Sequence, residues 1–152
     1  MIRKATKRDI KTIASIEANS GYLFRDRINL NSEISRINKN FERGCDYFVC
    51  CSEENPVAYI SIFVKKNVLK LDYLSVLKEY RGKGIGTLFM QFVEDYAKKR
   101  NCKKVFLEVN NKNYSAISLY NNFGYYVTKV KIRTNYQKKI IKLFMEKKLT
   151  KE

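Results

Sequence analysis

The spacing of apolar residues changes several times along this chain, and the order of the changes limits the folds that it can adopt. Residues 10–16 place apolar side chains on one helical face, whereas the strand at 103–109 places Val105, Leu107 and Val109 on one face and Phe106 and Glu108 on the other. Short strands that alternate with amphipathic helices in this way predict an α/β fold.

The predicted elements follow one another without a linker or an internal repeat. In chain order we expect a strand at 2–5, a helix that begins at Thr6, a helix that ends at Gly44, strands at 47–52, 57–64 and 68–76, a helix at 84–100, a strand at 103–109, a helix at 113–122, and strands at 125–133 and 138–147. Turns at 53–56 and 66–67 would make an antiparallel meander of the three consecutive strands.

Two of the predicted helices carry more detailed signals. Thr6 and Asp9 form a variant of the capping box, with Asp in place of the usual Glu or Gln. In the helix at 84–100, the residues expected to face inward are Leu88, Phe92, Val93, Tyr96 and Ala97.

Length and composition fit a single domain over residues 1–152. Apolar residues make up 45% of the chain, which is enough for one hydrophobic core. No stretch approaches the roughly 20 apolar residues that a membrane span needs, and residues 1–9 do not resemble a signal peptide. We therefore expect a cytoplasmic protein that does not associate with a membrane.

The chain contains no histidine and four cysteines. The cysteines form no Cys-x-x-Cys pair, so we expect reduced thiols and no metal site. Without histidine, every Ser–His or Cys–His scheme of nucleophilic catalysis is excluded. Acid–base chemistry must then come from Glu, Asp, Tyr, Lys, Cys or water.

The formal net charge is +16, and the basic residues are spread along the chain with short clusters at 98–100, 103–104, 138–139 and 147–148. Such a surface attracts polyanions, so weak electrostatic association with nucleic acid or a ribosome is one expectation. A solvated lysine-rich surface explains the charge equally well. A basic nucleic-acid-binding domain without activity is the remote alternative, because no nucleic-acid motif is present. The sequence leaves open whether the protein is a monomer or a homodimer.

Residues 74–86 run from a strand through a glycine-rich loop into a helix. Gly82, Gly84 and Gly86 let the backbone approach a ligand, and the first helical turn leaves N–H groups unpaired. Arg81 and Lys83 add formal positive charge. This segment predicts a cradle for phosphate or pyrophosphate, although a tight turn without a ligand has a similar sequence.

Two sequence blocks carry a family resemblance. Arg81-x-x-Gly84-x-Gly86 resembles the R/Q-x-x-G-x-G/A signature of the GNAT superfamily of N-acetyltransferases. The stretch from Asn113 to Tyr125 resembles that family's second block, N-x-x-A-x-x-L-Y-x-x-x-G-F. The resemblance covers residues 68–149, and residues 1–67 agree with the family in layout alone.

The resemblance implies the GNAT fold and acetyl-CoA as cosubstrate. The fold would be a mixed, mostly antiparallel sheet of six to seven strands, flanked by about four helices, with two parallel central strands that splay apart. Carried over from the family, the backbones of Leu74 and Val76 would bind pantetheine and the acetyl carbonyl. Asn113 would hold the pantetheine arm. The amides that would bind pyrophosphate belong to Gly82, Lys83, Gly84, Ile85 and Gly86.

Two residues are candidates for proton transfer. The family's tyrosine at the position of Tyr120 protonates the leaving thiolate, and a phenol with a reference pKa near about 10 suits that role. Glu108 is our candidate base, because it lies on the opposite strand face from Val105, Leu107 and Val109. A partly dry cleft would favour proton uptake by this carboxylate.

The acceptor is the least constrained part of the prediction. Glu108, Tyr120 and the run at 133–136 resemble the bacterial branch that acetylates the N-terminal alanine of a ribosomal protein, but Gln137 stands where that branch has a second tyrosine. The resemblance favours a peptide N-terminus as acceptor. The departure at Gln137 keeps small-molecule amines or amino acids as the alternative. The residues expected around the acceptor are Tyr22, Phe24, Arg25 and Tyr136.

Overall fold

A computed structural model describes residues 1–20, 29–135 and 138–150 of the chain. Its helices and strands are β1 (Ile2–Lys4), α1 (Ile10–Ala18), α2 (Leu30–Glu42), β2 (Asp46–Ser52), β3 (Asn55–Lys65), β4 (Val68–Val76), α3 (Ile85–Lys99), β5 (Lys104–Asn110), α4 (Tyr114–Asn122), β6 (Tyr126–Asn135) and β7 (Lys138–Lys148). The predicted order of elements is confirmed. The turn expected at 53–56 is shorter than predicted, because β3 begins at Asn55 and leaves Glu53 and Glu54 as the turn.

Within the described residues, seven strands form one sheet in the order β1-β2-β3-β4-β5-β7-β6. The pairs β1–β2, β2–β3, β5–β7 and β6–β7 are antiparallel, whereas β4 and β5 are parallel. The parallel ladder joins Val68–Leu71 to Lys104–Leu107. These observations confirm the mixed, mostly antiparallel sheet and the parallel pair of central strands.

The chain divides into two compact units. The first unit contains Met1–Phe63 and Asp72–Phe89, and the second contains Val64–Leu71 and Met90–Glu152. A single domain over residues 1–152 stays a prediction.

The core of the first unit joins α1 and α2 to strands β2 and β3. Ile13 and Ile16 of α1 and Ile37 of α2 are fully buried. The ring of Tyr47 stacks on Phe41 at 5.0 Å and on Tyr59 at 6.0 Å between centroids. Burial of each such apolar side chain stabilises the fold by roughly 1.5–3 kcal/mol.

A carboxylate is buried within this apolar core. Glu17 of α1 is 1% exposed, and its Oε2 accepts hydrogen bonds from the Tyr59 hydroxyl at 2.7 Å and the Ser75 hydroxyl at 2.6 Å. Burial, followed by the charge of Glu17, raises the pKa of Tyr59 well above its ordinary value. The three side chains therefore connect α1, β3 and β4 through hydrogen bonds to one carboxyl oxygen.

The inward face predicted for α3 is partly wrong. Val93, Tyr96 and Ala97 are buried as expected, but Leu88 is 43% exposed. Phe89 and Met90 are fully buried instead. Three consecutive apolar residues at 88–90 do not define which of them faces inward, so the prediction fails at the N-terminal end of the helix and holds for Val93, Tyr96 and Ala97.

The capping box predicted at the start of the chain is confirmed. The Thr6 amide donates to Asp9 Oδ2 at 2.8 Å, and the Arg3 guanidinium donates to both Asp9 oxygens at 2.8 and 2.9 Å. These hydrogen bonds lower the pKa of Asp9 from its ordinary value of 3.8, and the hydrogen bonds from Arg3 have the largest effect. The folded chain therefore binds fewer protons here than the unfolded chain does.

Asp9→Asn is expected to lower the free energy of unfolding by about 1–2 kcal/mol near neutral pH, because it removes hydrogen bonds to a charged carboxylate. The contribution of Asp9 is complete above roughly pH 4, which is near the unfolded pKa, and is lost as the pH falls through the lowered folded pKa. The difference in the free energy of unfolding between wild type and variant should therefore become smaller at acid pH. Urea unfolding at neutral and acid pH measures it, with Asp95→Asn as the matched change at an exposed carboxylate. A difference that persists or grows in acid would contradict this account.

Candidate active site

The loop that follows β4 is held to the first unit by backbone hydrogen bonds. The Leu77 amide donates to the Val57 carbonyl at 3.0 Å, and the Tyr80 amide donates to the Leu77 carbonyl at 2.9 Å across a 3-10 turn at Lys78–Tyr80. The end of β4 and the start of the loop therefore have a fixed position relative to β3.

Two glycines of the loop adopt a backbone conformation that favours glycine. Gly82 has a φ of +74° and Gly84 a φ of +85°, so a side chain at either position would be strained. A Cβ at either glycine would meet no atom within 4 Å. The space beside both α-carbons is therefore open to a ligand.

The first turn of α3 completes this cradle. The Leu88 amide donates to the Gly84 carbonyl at 3.0 Å, so the amides of Ile85, Gly86 and Thr87 precede the helix's own hydrogen bonds. Amides at a helix N-terminus, together with the helix dipole, favour an anion. The residues present thus fit a phosphate or pyrophosphate group.

The two basic side chains of the loop have partners within the loop region. Arg81 Nε donates to the Val76 carbonyl at 3.1 Å, and Lys83 Nζ lies 5.2 Å from the centre of the Tyr80 ring. Arg81 therefore also secures the loop against the end of β4. Val76, whose backbone is expected to bind pantetheine and the acetyl carbonyl, thus already accepts one hydrogen bond at its carbonyl.

The candidate base lies on β5 in the second unit. Glu108 is exposed, whereas Val105, Leu107 and Val109 are buried on the opposite face, as the alternation predicts. Glu108 is paired with Phe144 of β7 in the antiparallel ladder. The partly dry surroundings expected for Glu108 are not seen, because its side chain faces solvent.

The second sequence block forms α4 of the second unit. Asn113 is the N-cap of this helix, and its Oδ1 accepts from the Ala116 amide at 3.3 Å. The side-chain oxygen therefore has a structural role, and its NH₂ group is the part that could donate to a ligand. Tyr120, in the last turn of α4, is buried at 6% exposure, and its ring centre lies 6.1 Å from that of Tyr125.

Tyr125 carries a feature that the sequence did not reveal. Its hydroxyl is buried and has no hydrogen-bond partner in the part of the chain that the structure describes. Burial raises the pKa of this phenol far above its ordinary value, with the charge of Glu94 as the next cause. The sequence signal was the aromatic position at the end of the second block, which indicates packing and says nothing of an unpaired hydroxyl.

The predicted site residues are thus distributed over both units. The first unit contains Leu74, Val76 and the loop Arg81–Gly86, and the second contains Glu108, Asn113 and Tyr120. The acceptor residues Tyr22, Phe24, Arg25 and Tyr136 lie outside the described residues, so their role stays a prediction.

The described ranges contain neither a metal-ion cluster nor a helix that could span a membrane. No three His, Cys, Asp or Glu side chains in 1–20, 29–135 and 138–150 are arranged to hold a metal ion. Of the helices in the same ranges, none is both long and apolar enough to cross a membrane.

The sequence of the chain is similar to those of known proteins. The model of the acetyltransferase (GNAT) family matches residues 11–125. The chain is 30% identical over 106 residues to N-acetyltransferase 8B of Homo sapiens, a match that covers 64% of this chain and 47% of that protein. The chain spans about half or less of the length of the first curated relatives that it matches.

Solved structures resemble the whole described fold. The ribosomal-protein-alanine N-acetyltransferase of Brucella melitensis has a TM-score of 0.80 at 20% identity, covering 98% of this chain and 99% of that one. The phosphinothricin acetyltransferase of Sinorhizobium meliloti, in complex with acetyl-CoA, has a TM-score of 0.79 at 16% identity, covering 98% and 88%. At these identities the likeness concerns the fold. Because the family model matches most of its length, the chain belongs to the acetyltransferase (GNAT) family.

Proposed function

We propose that this chain is an acetyl-CoA-dependent N-acetyltransferase that acts on a primary amine, with the N-terminal α-amine of a protein or peptide as acceptor. The observation that carries the proposal is the loop before α3. Its two glycines at positive φ and the free amides of the first helical turn form an anion cradle at the position of the family signature.

The residues of the chain would divide the binding of acetyl-CoA among them. The amides from Gly82 to Gly86 bind the pyrophosphate, and Arg81 and Lys83 add positive charge. The backbone of β4 near Leu74 and Val76 binds the pantetheine arm, and the Asn113 side-chain NH₂ donates to the same arm. In support, β4 pairs with β5 over Val68–Leu71 and continues to Val76, so these positions lie beyond the ladder.

Acetyl transfer needs a neutral amine and a proton for the leaving sulfur. Acetyl-CoA supplies an acetyl group activated as a thioester. Glu108 accepts the proton of the attacking amine, directly or through water, from its exposed position on β5. Tyr120 donates a proton to the departing thiolate from its buried position in the last turn of α4.

The acceptor follows from charge and from the reference pKa of amines. An α-amine has a pKa near about 7.7–8.0, so an appreciable fraction is neutral at physiological pH, whereas a lysine or polyamine amine is almost wholly charged. The net charge of +16 disfavours a polycationic acceptor. The sequence resemblance of Glu108, Tyr120 and the run at 133–136 to the branch that acetylates a ribosomal protein supports a peptide. Gln137, in place of a second tyrosine, favours the alternative of a small zwitterionic or acidic amine.

Gly84→Glu is expected to weaken acetyl-CoA binding by at least about tenfold, because it places a carboxylate where phosphate would lie. Calorimetric titration measures the affinity. Gly44→Glu is the matched control, since Gly44 has a φ of +86° and equally open space beside it but ends α2. Wild-type affinity in Gly84→Glu would contradict the proposed cradle. Equal losses in both variants would assign the effect to backbone strain.

Glu108→Gln and Tyr120→Phe are each expected to lower kcat by about tenfold or more, because each removes a group that moves a proton. The loss of kcat in Glu108→Gln, relative to wild type, should become smaller as the pH rises above about 8, where most of the α-amine is already neutral. Steady-state rates between neutral and alkaline pH measure both effects. The controls are Glu54→Gln and Tyr114→Phe, which change exposed groups, the second on the same helix as Tyr120. Near wild-type turnover in both test variants would refute the mechanism.

A peptide with a free N-terminal alanine is expected to have a kcat/KM at least about tenfold above that of free alanine or spermidine. The physical reason is that the peptide presents an α-amine without the carboxylate or the extra cations of the small amines. Thiol release from acetyl-CoA measures the rates, with the N-terminally acetylated peptide as the control. Faster reaction of the free amino acid would replace the peptide acceptor by the small-molecule alternative.

A further inference from the structure

The second unit contains a cavity that the acetyl-transfer proposal does not use. Its volume is about 670 Å³, which lies within the range of small-molecule sites. It lies where the end of α3, the start of β5 and the end of β7 come together. Its lining includes Lys98, Cys102, Lys103, Lys104, Lys148 and Leu149. Glu108 is four residues further along β5 than Lys104, about 13 Å along an extended strand.

Backbone hydrogen bonds hold the walls of this cavity in place. The Leu149 amide donates to the Lys103 carbonyl at 2.8 Å, and the Lys103 amide donates to the Asn67 carbonyl at 2.6 Å. The Cys102 amide donates to the Ala97 carbonyl at 2.9 Å. The lining residues therefore belong to segments whose backbones are fixed before any ligand binds.

Carbonyls at the C-terminal end of α3, beside this cavity, accept backbone hydrogen bonds. The Ala97 carbonyl accepts from the amides of Arg100 and Cys102, and the Lys98 carbonyl accepts from the Asn101 amide. Carbonyls that already have partners repel an anion less than the free carbonyls of an uncapped helix would. The lysines thus dominate the local charge.

The four lysines of the cavity have one carboxylate partner among the described residues. Lys104 Nζ pairs with Glu146 Oε2 at 3.0 Å, and Lys104 also lies directly opposite Lys148 in the β5–β7 ladder. Lys98, Lys103 and Lys148 form no ion pair with a described carboxylate. Like charges opposite one another in a sheet are destabilising, so a bound anion would relieve repulsion here.

We propose that this cavity binds a compact polyphosphate anion, either free or as the phosphate chain of a nucleotide. Three lysines without a carboxylate partner match the several charges of such an anion, and lysine binds phosphate as a point charge. Leu149, Cys102 and the lysine stems add apolar surface beside the charges. The site shares no residue with the loop before α3, so substitutions can alter either site separately.

The test is calorimetric titration with sodium tripolyphosphate at low ionic strength, where charge interactions are least screened. All proteins carry Gly84→Glu, so that the loop before α3 does not compete for the anion. This background is expected to bind one equivalent, and Lys98→Gln/Lys103→Gln/Lys148→Gln should weaken binding by at least about tenfold. Lys7→Gln/Lys11→Gln/Lys39→Gln removes the same charge from exposed positions of the first unit and should bind as the background does.

Several results of these titrations would overturn the proposed anion site. Equal weakening in both triple variants, or no saturable binding to the background, would overturn it. If the cavity triple variant does not fold, the single changes Lys103→Gln and Lys148→Gln replace it, and unchanged affinity in both would overturn the site. Titration with adenosine triphosphate identifies the source: equal affinity assigns the site to the phosphate chain, and tighter binding assigns it to a nucleotide.

Discussion

Hydrogen bonds to the buried carboxylate of Glu17 join three elements of the first unit, α1, β3 and β4, and the glycine loop starts from the last of these. A carboxylate removed from water costs several kcal/mol unless it is hydrogen-bonded, and Tyr59 and Ser75 donate to it from two neighbouring strands. Ser75 lies between Leu74 and Val76, and two residues later the Leu77 amide binds the Val57 carbonyl. The hydrogen bonds that satisfy Glu17 therefore also fix the end of β4, from which the glycine loop starts. A loop that is to present amides to a ligand needs such a fixed base, because amide donors act over hydrogen-bond distances.

Much of the fold could be predicted from local patterns, and the misses have physical reasons. The apolar periodicities gave the order of helices and strands because each element buries one face. The capping box at Thr6 and Asp9 was readable because its hydrogen bonds are local. The inward face of α3 was misassigned at Leu88, because Leu88, Phe89 and Met90 are all apolar and the choice among them depends on packing against distant strands.

Some features of the candidate site could also be predicted from the sequence, whereas others depend on the folded surroundings. Gly82, Gly84 and Gly86 were predicted to let the backbone approach a ligand, and the structure adds that Gly82 and Gly84 have positive φ and open space beside them. Strand alternation gave the face of Glu108, but its exposure depends on the neighbours of β5, which the alternation does not specify. The sequence resemblance gave Asn113 a ligand role, whereas the structure adds the capping of α4. The unpaired hydroxyl of Tyr125 could not be foreseen, because a missing hydrogen-bond partner is a property of the folded surroundings.

The positive charge of the chain acts at two length scales, and these have different consequences. Lysines dispersed over the surface attract any polyanion over about a Debye length, roughly 8–10 Å at physiological salt, and so raise association rates without selecting a ligand. Selection needs groups that act at contact. At the loop before α3 the proposed groups are backbone amides, which act at hydrogen-bond distance whatever the net charge. At the cavity of the second unit they are lysines from sequence clusters more than 40 residues apart, which the fold brings together. The net charge of +16 therefore explains attraction, and the fold determines where an anion would bind.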